Sequence, residues 1–281
     1  MCHYTRAHTA FEHILPSREL KMNPYSKMRD PFESKRPAFH VASAWGHDED
    51  AQMELFWAVQ EAVGRSRDTY RLLSLTQGDE PTGNPLEQPF RFPWSRARMW
   101  EQYAENHAGV CLVFDREELL ETLGRNLAKN GSYEHGPVKY TIAGFADSDA
   151  ARISLEHFRK DSLEEDIGLH VQRHHRDFFF LKTADWESES EYRFVWERAA
   201  TSSFGRLLPL AHYVSYGNAL RLLVVGEGFP DWQIPGAQDA ARHVNVELRR
   251  MTWELDHPFP AKPRRRRWTR RVRKLRRAGG D

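Results

Sequence analysis

At 281 residues with 40% apolar side chains, the chain is long enough to bury a substantial core as one large domain or two small ones, which excludes a wholly disordered protein. Its net charge of +1 conceals an asymmetry: residues 262–281 carry 11 Lys and Arg against one Asp, leaving 30 basic and 39 acidic groups in residues 1–261. Two cysteines, Cys2 and Cys111, allow at most one bridge and no metal-ligand spacing, while the absence of any 18-residue apolar run or apolar leader predicts a soluble, cytoplasmic protein with no membrane span.

In chain order, Cys2 opens a short strand. A helix follows around Thr9 to Leu15, where Ala10, Phe11, Ile14 and Leu15 recur at helical spacing and Pro16 is expected to break it. Residues 22–37, rich in Pro, Asn, Asp and Ser, read as an irregular loop with a turn at Asp30-Pro31-Phe32. An amphipathic helix is expected from Asp48 to Arg65, a buried strand from Tyr70 to Thr76, and a surface loop from Gly78 to Pro93. Met99, Trp100, Tyr103 and Ala104 then place an aromatic stripe on one helix face, with Asn106 and His107 capping that helix and Gly109 stopping it.

Val110 to Phe114 is continuous apolar sequence and reads as a buried strand. A helix from Asp115 to about Lys129 and a strand near Val138 to Ile142 come next. The stretch from Asp149 to Phe180 has helical character with a break at Asp161-Ser162. Tyr192 to Trp196 and Leu220 to Val225 are strands, the second closed by Gly226, and Val244 to Leu255 has the pattern of a last strand pair. With no internal repeat and no linker before residue 256, the expectation is a single α+β domain over residues 1–255, a central mixed or antiparallel sheet flanked by helices, followed by a disordered basic tail over 256–281.

Four segments carry a resemblance. Tyr4-Thr5 with Ile14-Leu15 and Asp30-Pro31-Phe32-Glu33, then Ser74-Leu75-Thr76, then Met99 through Cys111, then Lys182 to Trp186 leading into Glu189-Ser190-Glu191-Tyr192-Arg193, resemble the bacterial domain-of-unknown-function family 2971. That family names no reaction. A more distant similarity does: His3-Tyr4-Thr5 followed by a helix ending at Ile14-Leu15 resembles the opening of ADP-ribosyltransferases. The resemblance implies that His3 and Thr5 contact NAD as a substrate, with Ser74 and Thr76 on a second strand; Tyr103, from the aromatic stripe, is the candidate for the pocket rim. It implies Glu189 or Glu191 as the catalytic carboxylate of a third strand.

The chemistry explains the residue types. Breaking the nicotinamide–ribose bond builds positive charge on the ribose, which a nearby carboxylate stabilises. In an extended Glu189-Ser190-Glu191, both carboxylates share one face, so Glu191 could hold the ribose while Glu189 orients the nucleophile. Each residue also has a plain structural reading. His3 fits a surface or capping histidine at a fraying terminus, the alternating Glu187, Glu189 and Glu191 fit the solvated face of an edge strand, and Ser74 and Thr76 fit the polar ends of a core strand. The Met99–Ala104 stripe fits core packing. His170, His174 and His175 hold an i, i+4 pair without a recognised third ligand, and Gly226-Glu227-Gly228 fits a simple turn.

The segment from Lys262 to Arg277 repels itself, and its charge density suits phosphates bound through counterion release. The residues expected to contact nucleic acid or another polyanion are Arg264, Arg265, Arg266, Arg267, Trp268, Arg270 and Arg271. The reading that follows is an NAD-dependent ADP-ribosyltransferase-like enzyme acting on a macromolecule, with nucleic acid the acceptor that the tail suggests and a toxin or phage-defence setting implied by the resemblance alone. The alternatives are a non-catalytic nucleic-acid- or ribosome-associated binding protein and a hydrolase that consumes NAD without an acceptor.

Overall fold

The computed structural model describes residues 1–263 except 36–38, 42–48, 81–82, 85, 159, 200–210 and 255–256. The basic residues from Arg264 onward, and every contact expected of them, lie outside the described residues. The first strand, β1 (Cys2–Thr5), leads into a helical stretch made of α1 (Ala7–Thr9), a π-turn (Ala10–Ile14) and α2 (Leu15–Ser17). Pro16 does not break this helix as expected. The Leu15 N–H reaches back to the Ala10 carbonyl, a widened turn that accommodates a residue with no donor, and the chain leaves the helix at Arg18, whose φ is +54°.

Where the composition suggested a loop, the chain forms β2 (Glu19–Pro24), a 3-10 turn (Tyr25–Lys27) and α3 (Pro31–Ser34). Alternation explains β2: Leu20 and Met22 point into the core while Lys21 and Asn23 face the other way. After β3 (His40–Val41), α4 (Glu49–Arg67) and β4 (Tyr70–Thr76) follow closely as read. The polar loop carries one short helix, α5 (Gln88–Arg91), before α6 (Ala97–Tyr103).

Gly109 is not the stop of α6. The helix ends at Ala104, and Glu105, Asn106 and His107 adopt left-handed conformations one after another. Gly109 serves close approach instead, since a Cβ there would lie 2.5 Å from the Thr5 carbonyl. Then come β5 (Val110–Phe114), α7 (Arg116–Leu127) capped by the Asp115 side chain, β6 (Gly131–Pro137) and β7 (Lys139–Thr141).

The expected helical sequence from Asp149 is short turns around β8 (Arg152–Ile153) until α8 (Leu163–Arg173) and α9 (His175–Phe179). Next are β9 (Leu181–Thr183), β10 (Glu191–Arg198), β11 (His212–Ser215), β12 (Leu220–Val225), α10 (Ile234–His243), β13 (Glu247–Glu254) and β14 (His257–Ala261). Of these late elements, β9, β11, α10 and the pairing of β13 with a strand beyond residue 255 went unread.

The fold is α+β, built on a ten-stranded mixed sheet. Its main path runs β11-β2-β4-β1-β5-β12-β13-β14, with β10 and β6 branching from β4. The β12–β13 pair is parallel through the α10 crossover, and the other pairs in this sheet are antiparallel. One core cluster packs the helical stretch around Ile14, α7 and α10 against Leu73, Leu112, Phe194 and Leu223. A second packs α4, α8 and α9 around Tyr70, Leu72 and Val195, and a third gathers Tyr4, Trp100, Cys111 and Met251. No helix among the described residues is long and apolar enough to cross a membrane.

Candidate functional site

The branch in the sheet creates the site. Strand β10 occupies one edge of β4 along its whole length, from Glu191 opposite Thr76 to Glu197 opposite Tyr70. The other edge is shared: β2 pairs at Leu72 and Arg71, β1 only at Thr76. The two strands therefore diverge beside Leu73, Ser74 and Leu75. A cavity of about 260 Å³ fills the gap, lined by the whole run from Leu72 to Thr76 together with His3, Tyr103, Lys182, Glu189 and Glu191. It adjoins a wider groove of about 890 Å³ that shares His3, Lys21, Asn23, Arg29 and Tyr103 and adds Thr5 and Tyr213.

The floor is a buried ionic network. Lys182 of β9, 5% exposed, donates to Glu189 at 2.7 Å and to Glu191 at 2.9 Å. Arg193 of β10 is fully buried. Its Nε donates to Glu191 Oε1 at 2.5 Å, its Nη2 contacts Glu33 Oε1 at 2.5 Å, and its Nη1 donates to the Phe179 carbonyl at 2.7 Å. Three carboxyl groups thus face two cations in a region that water barely reaches.

The protonation behaviour follows from that arrangement. Burial would raise the Glu191 carboxyl, but the Arg193 and Lys182 charges outweigh it and hold the group well below the usual carboxylate range. For Glu33 burial wins over Arg193 and Lys182, and its carboxyl is pushed up. Burial works against the Lys182 ammonium, yet Glu191 and Glu33 overcome it and strengthen its hold on the proton. The two candidate carboxylates are also differently engaged. Glu191 accepts three hydrogen bonds from Lys182 and Arg193, whereas Glu189 accepts one on each oxygen, from Lys182 and from the Tyr103 hydroxyl at 2.5 Å. Of about four acceptor positions on a carboxylate, Glu189 keeps more open than Glu191.

The walls come from other elements. His3 sits on β1 with Nδ1 3.4 Å from the Ser74 carbonyl, and burial lowers its pKa, so the neutral imidazole is favoured. Tyr103, at the end of α6, has the Arg29 guanidinium 4.8 Å from its ring centre, and its phenol is pushed up by burial and by Glu189. Tyr140 accepts the Glu191 backbone N–H at 2.9 Å and supports the start of β10.

Of the residues read from the sequence, His3, Ser74, Thr76, Tyr103, Glu189 and Glu191 all line the cavity, and Thr5 lines the adjoining groove. Two premises about them are corrected. The segment before Glu191 is not extended: residues Ala184–Glu189 form a 3-10 helix and Ser190 has a φ of +43°. The two carboxylates converge because Lys182 binds both, not because of strand alternation. Nor are they solvated: Glu189, at the end of that 3-10 helix, is 4% exposed and Glu191, at the start of β10, is 3% exposed, and His3 lies on an interior strand rather than a frayed end.

Glu33, Lys182 and Arg193 escaped the sequence reading as site residues. Their signal was their place in the resembling segments, which ties three separate stretches to one spot. Elsewhere, His170 and His174 have ring centres 4.7 Å apart, with His170 against the Ala150 carbonyl and His174 beside Asp177. No group of three or more His, Cys, Asp or Glu among the described residues could hold a metal ion. Cys2 and Cys111 are buried and unbridged.

Residues 99–194 match a family described as protein of unknown function DUF2971, a span that includes Tyr103, Lys182, Glu189, Glu191 and Arg193. Comparison with curated proteins and with solved structures finds no match.

Proposed function

We propose that the cavity binds NAD and transfers its ADP-ribosyl group to an acceptor. One observation carries this reading: His3, Ser74, Thr76, Tyr103, Glu189 and Glu191, drawn from separate segments, line a single cavity whose floor is acidic. In the proposed reaction the bond from ribose C1′ to the nicotinamide nitrogen breaks, and its electron pair leaves with neutral nicotinamide. Positive charge develops on the ribose, where the nearby Glu189 and Glu191 carboxylates favour it. A lone pair of the acceptor then forms the new bond to C1′, and the acceptor's proton passes to Glu189, the carboxylate with open acceptor positions. Glu191, held by Lys182 and Arg193, supplies fixed negative charge and keeps Lys182 in place.

The basic segment from Lys262 to Arg277 is proposed to bring a polyanion, nucleic acid foremost, to this face as acceptor. A non-catalytic binding role is the second reading. It is favoured by the closure of the Glu191 bonds upon the protein itself, which is what a purely structural network also requires.

The test is incubation of the purified chain with adenylate-labelled NAD, with and without nucleic acid. Wild type should release nicotinamide and label the acceptor, Glu189→Gln should lose on the order of 10²-fold in turnover, and truncation before Lys262 should spare NAD cleavage while reducing acceptor labelling. NAD left intact by wild type, or turned over equally by Glu189→Gln, rejects the transferase reading in favour of binding.

A further inference from the structure

We infer that Lys21, Lys27 and Arg29 form a phosphate-recognition mouth on this cavity, so that its ligand is a nucleoside diphosphate ribosyl compound with the diphosphate at the mouth and its distal ribosyl group toward the carboxylate-lined floor. This deepens the proposed NAD reading and rests on it for the orientation of the ligand. All three cations line the cavity. Lys21 faces it because β2 commits Leu20 and Met22 to the core on its opposite face.

Lys27 and Arg29 are delivered by an anchored turn. Tyr25 is buried, donates its hydroxyl to the Phe178 carbonyl at 3.0 Å and lies under the Arg67 guanidinium at 3.8 Å, which holds the 3-10 turn that ends at Lys27. Arg29 is steadied by the Tyr103 ring and the Gln102 carbonyl. Among the described residues neither Lys21 nor Lys27 makes an ion pair, and the carboxylates Glu33, Glu189 and Glu191 on the floor are engaged by Lys182 and Arg193. The cavity lining therefore adds three cations, Lys21, Lys27 and Arg29, against one further carboxylate, Asp30, to the network at its base. A diphosphate accepts charge-assisted hydrogen bonds from such a mouth, and a neutral nucleoside does not.

The experiment is calorimetric titration of the full chain with ADP-ribose, with adenosine as the uncharged control and inorganic pyrophosphate as competitor. ADP-ribose should bind more tightly than adenosine, pyrophosphate should displace it, and binding should weaken with salt because the mouth is exposed. The double variant Lys21→Ala with Lys27→Ala should lose at least about tenfold in affinity and much of the salt dependence, while Lys21→Arg with Lys27→Arg should retain binding. Adenosine binding as tightly as ADP-ribose, failure of pyrophosphate to compete, an unaltered double alanine variant, or no ADP-ribose binding at all would each overturn the inference. NAD turnover plays no part in this test. ADP-ribose binding that depends on the two lysines in a protein that leaves NAD intact would keep the phosphate mouth and remove the transferase reading.

Discussion

Arg193 has no exposed surface, and its guanidinium joins Glu191, Glu33 and the Phe179 carbonyl into one unit. Removing a partner from such a network leaves buried carboxylates without compensation, a loss of about 3–5 kcal/mol. Arg193→Met should therefore lower the unfolding free energy read from urea denaturation by an amount in that range, and denaturation without change in midpoint would show the network to be stabilised by other means. The same logic alters what Glu191→Gln means. On an exposed strand it would be nearly silent, but here it frees Lys182 and Arg193 from their best partner, so its effect on turnover is interpretable only beside its effect on folding. Glu189→Gln is the cleaner probe because Glu189 does not touch Arg193.

At the scale of elements, the strands Tyr70–Thr76, Val110–Phe114, Tyr192–Trp196 and Leu220–Val225 were all legible, because short runs of five to seven mostly apolar residues, too short for a helix, suit interior strands. Strand β6 was not: Gly-Ser-Tyr-Glu-His-Gly-Pro has little intrinsic preference for extension and is held by its ladder to β10. The helix expected after Asp149 failed for a related reason, since its apolar residues Ala150, Ile153, Leu155 and Phe158 reach the second core from short turns. The turn after β12 carries a sharper constraint. A Cβ on Gly226 would stand 2.0 Å from the His107 carbonyl, where backbone rather than a flexible side chain must give way. Gly226→Ala should cost about 1–3 kcal/mol or more, read as a lowered thermal midpoint, and a neutral result would mean that the left-handed segment Glu105–His107 can move aside.

For the whole molecule, acid sensitivity is the clearest expectation. His3, His135, His170, His175 and His212 all have their pKa lowered, in each case chiefly by burial. A folded pKa below the ordinary 6.5 means that the unfolded chain binds the proton first. Stability from these groups is complete above pH 6.5 and declines as pH falls through it, by at most about 1.4 kcal/mol per pH unit for each imidazole kept neutral in the fold. Glu191 adds a second, more acidic loss, because its lowered carboxyl stabilises the fold above its unfolded pKa near 4.5 and gives that up as pH falls further. Thermal midpoints should be level between pH 7 and 8, fall from pH 6.5 to 5.5, and fall again below 4.5. A flat profile down to pH 5 would show that the buried histidines accept protons without penalty.

The sequence by itself determined the α+β class, the interior strands, the separation of an acidic body from a basic C-terminal segment, and the residues His3, Ser74, Thr76, Tyr103, Glu189 and Glu191 as a set worth bringing together. The class, the strands and the charge separation are properties of local composition and period, which survive without knowledge of neighbours, whereas the residue set is what the resemblance implied. Only the tertiary structure decided that they line one cavity, since that depends on β1 and β2 sharing one edge of β4 and parting beside Ser74. It alone decided that Glu189 and Glu191 are buried and converge through Lys182, because ion-pair partners 7 and 9 residues away meet only through the turn of the chain between β9 and β10. Electrostatic roles are set by distance and burial, and neither is written in the spacing of residues along the chain.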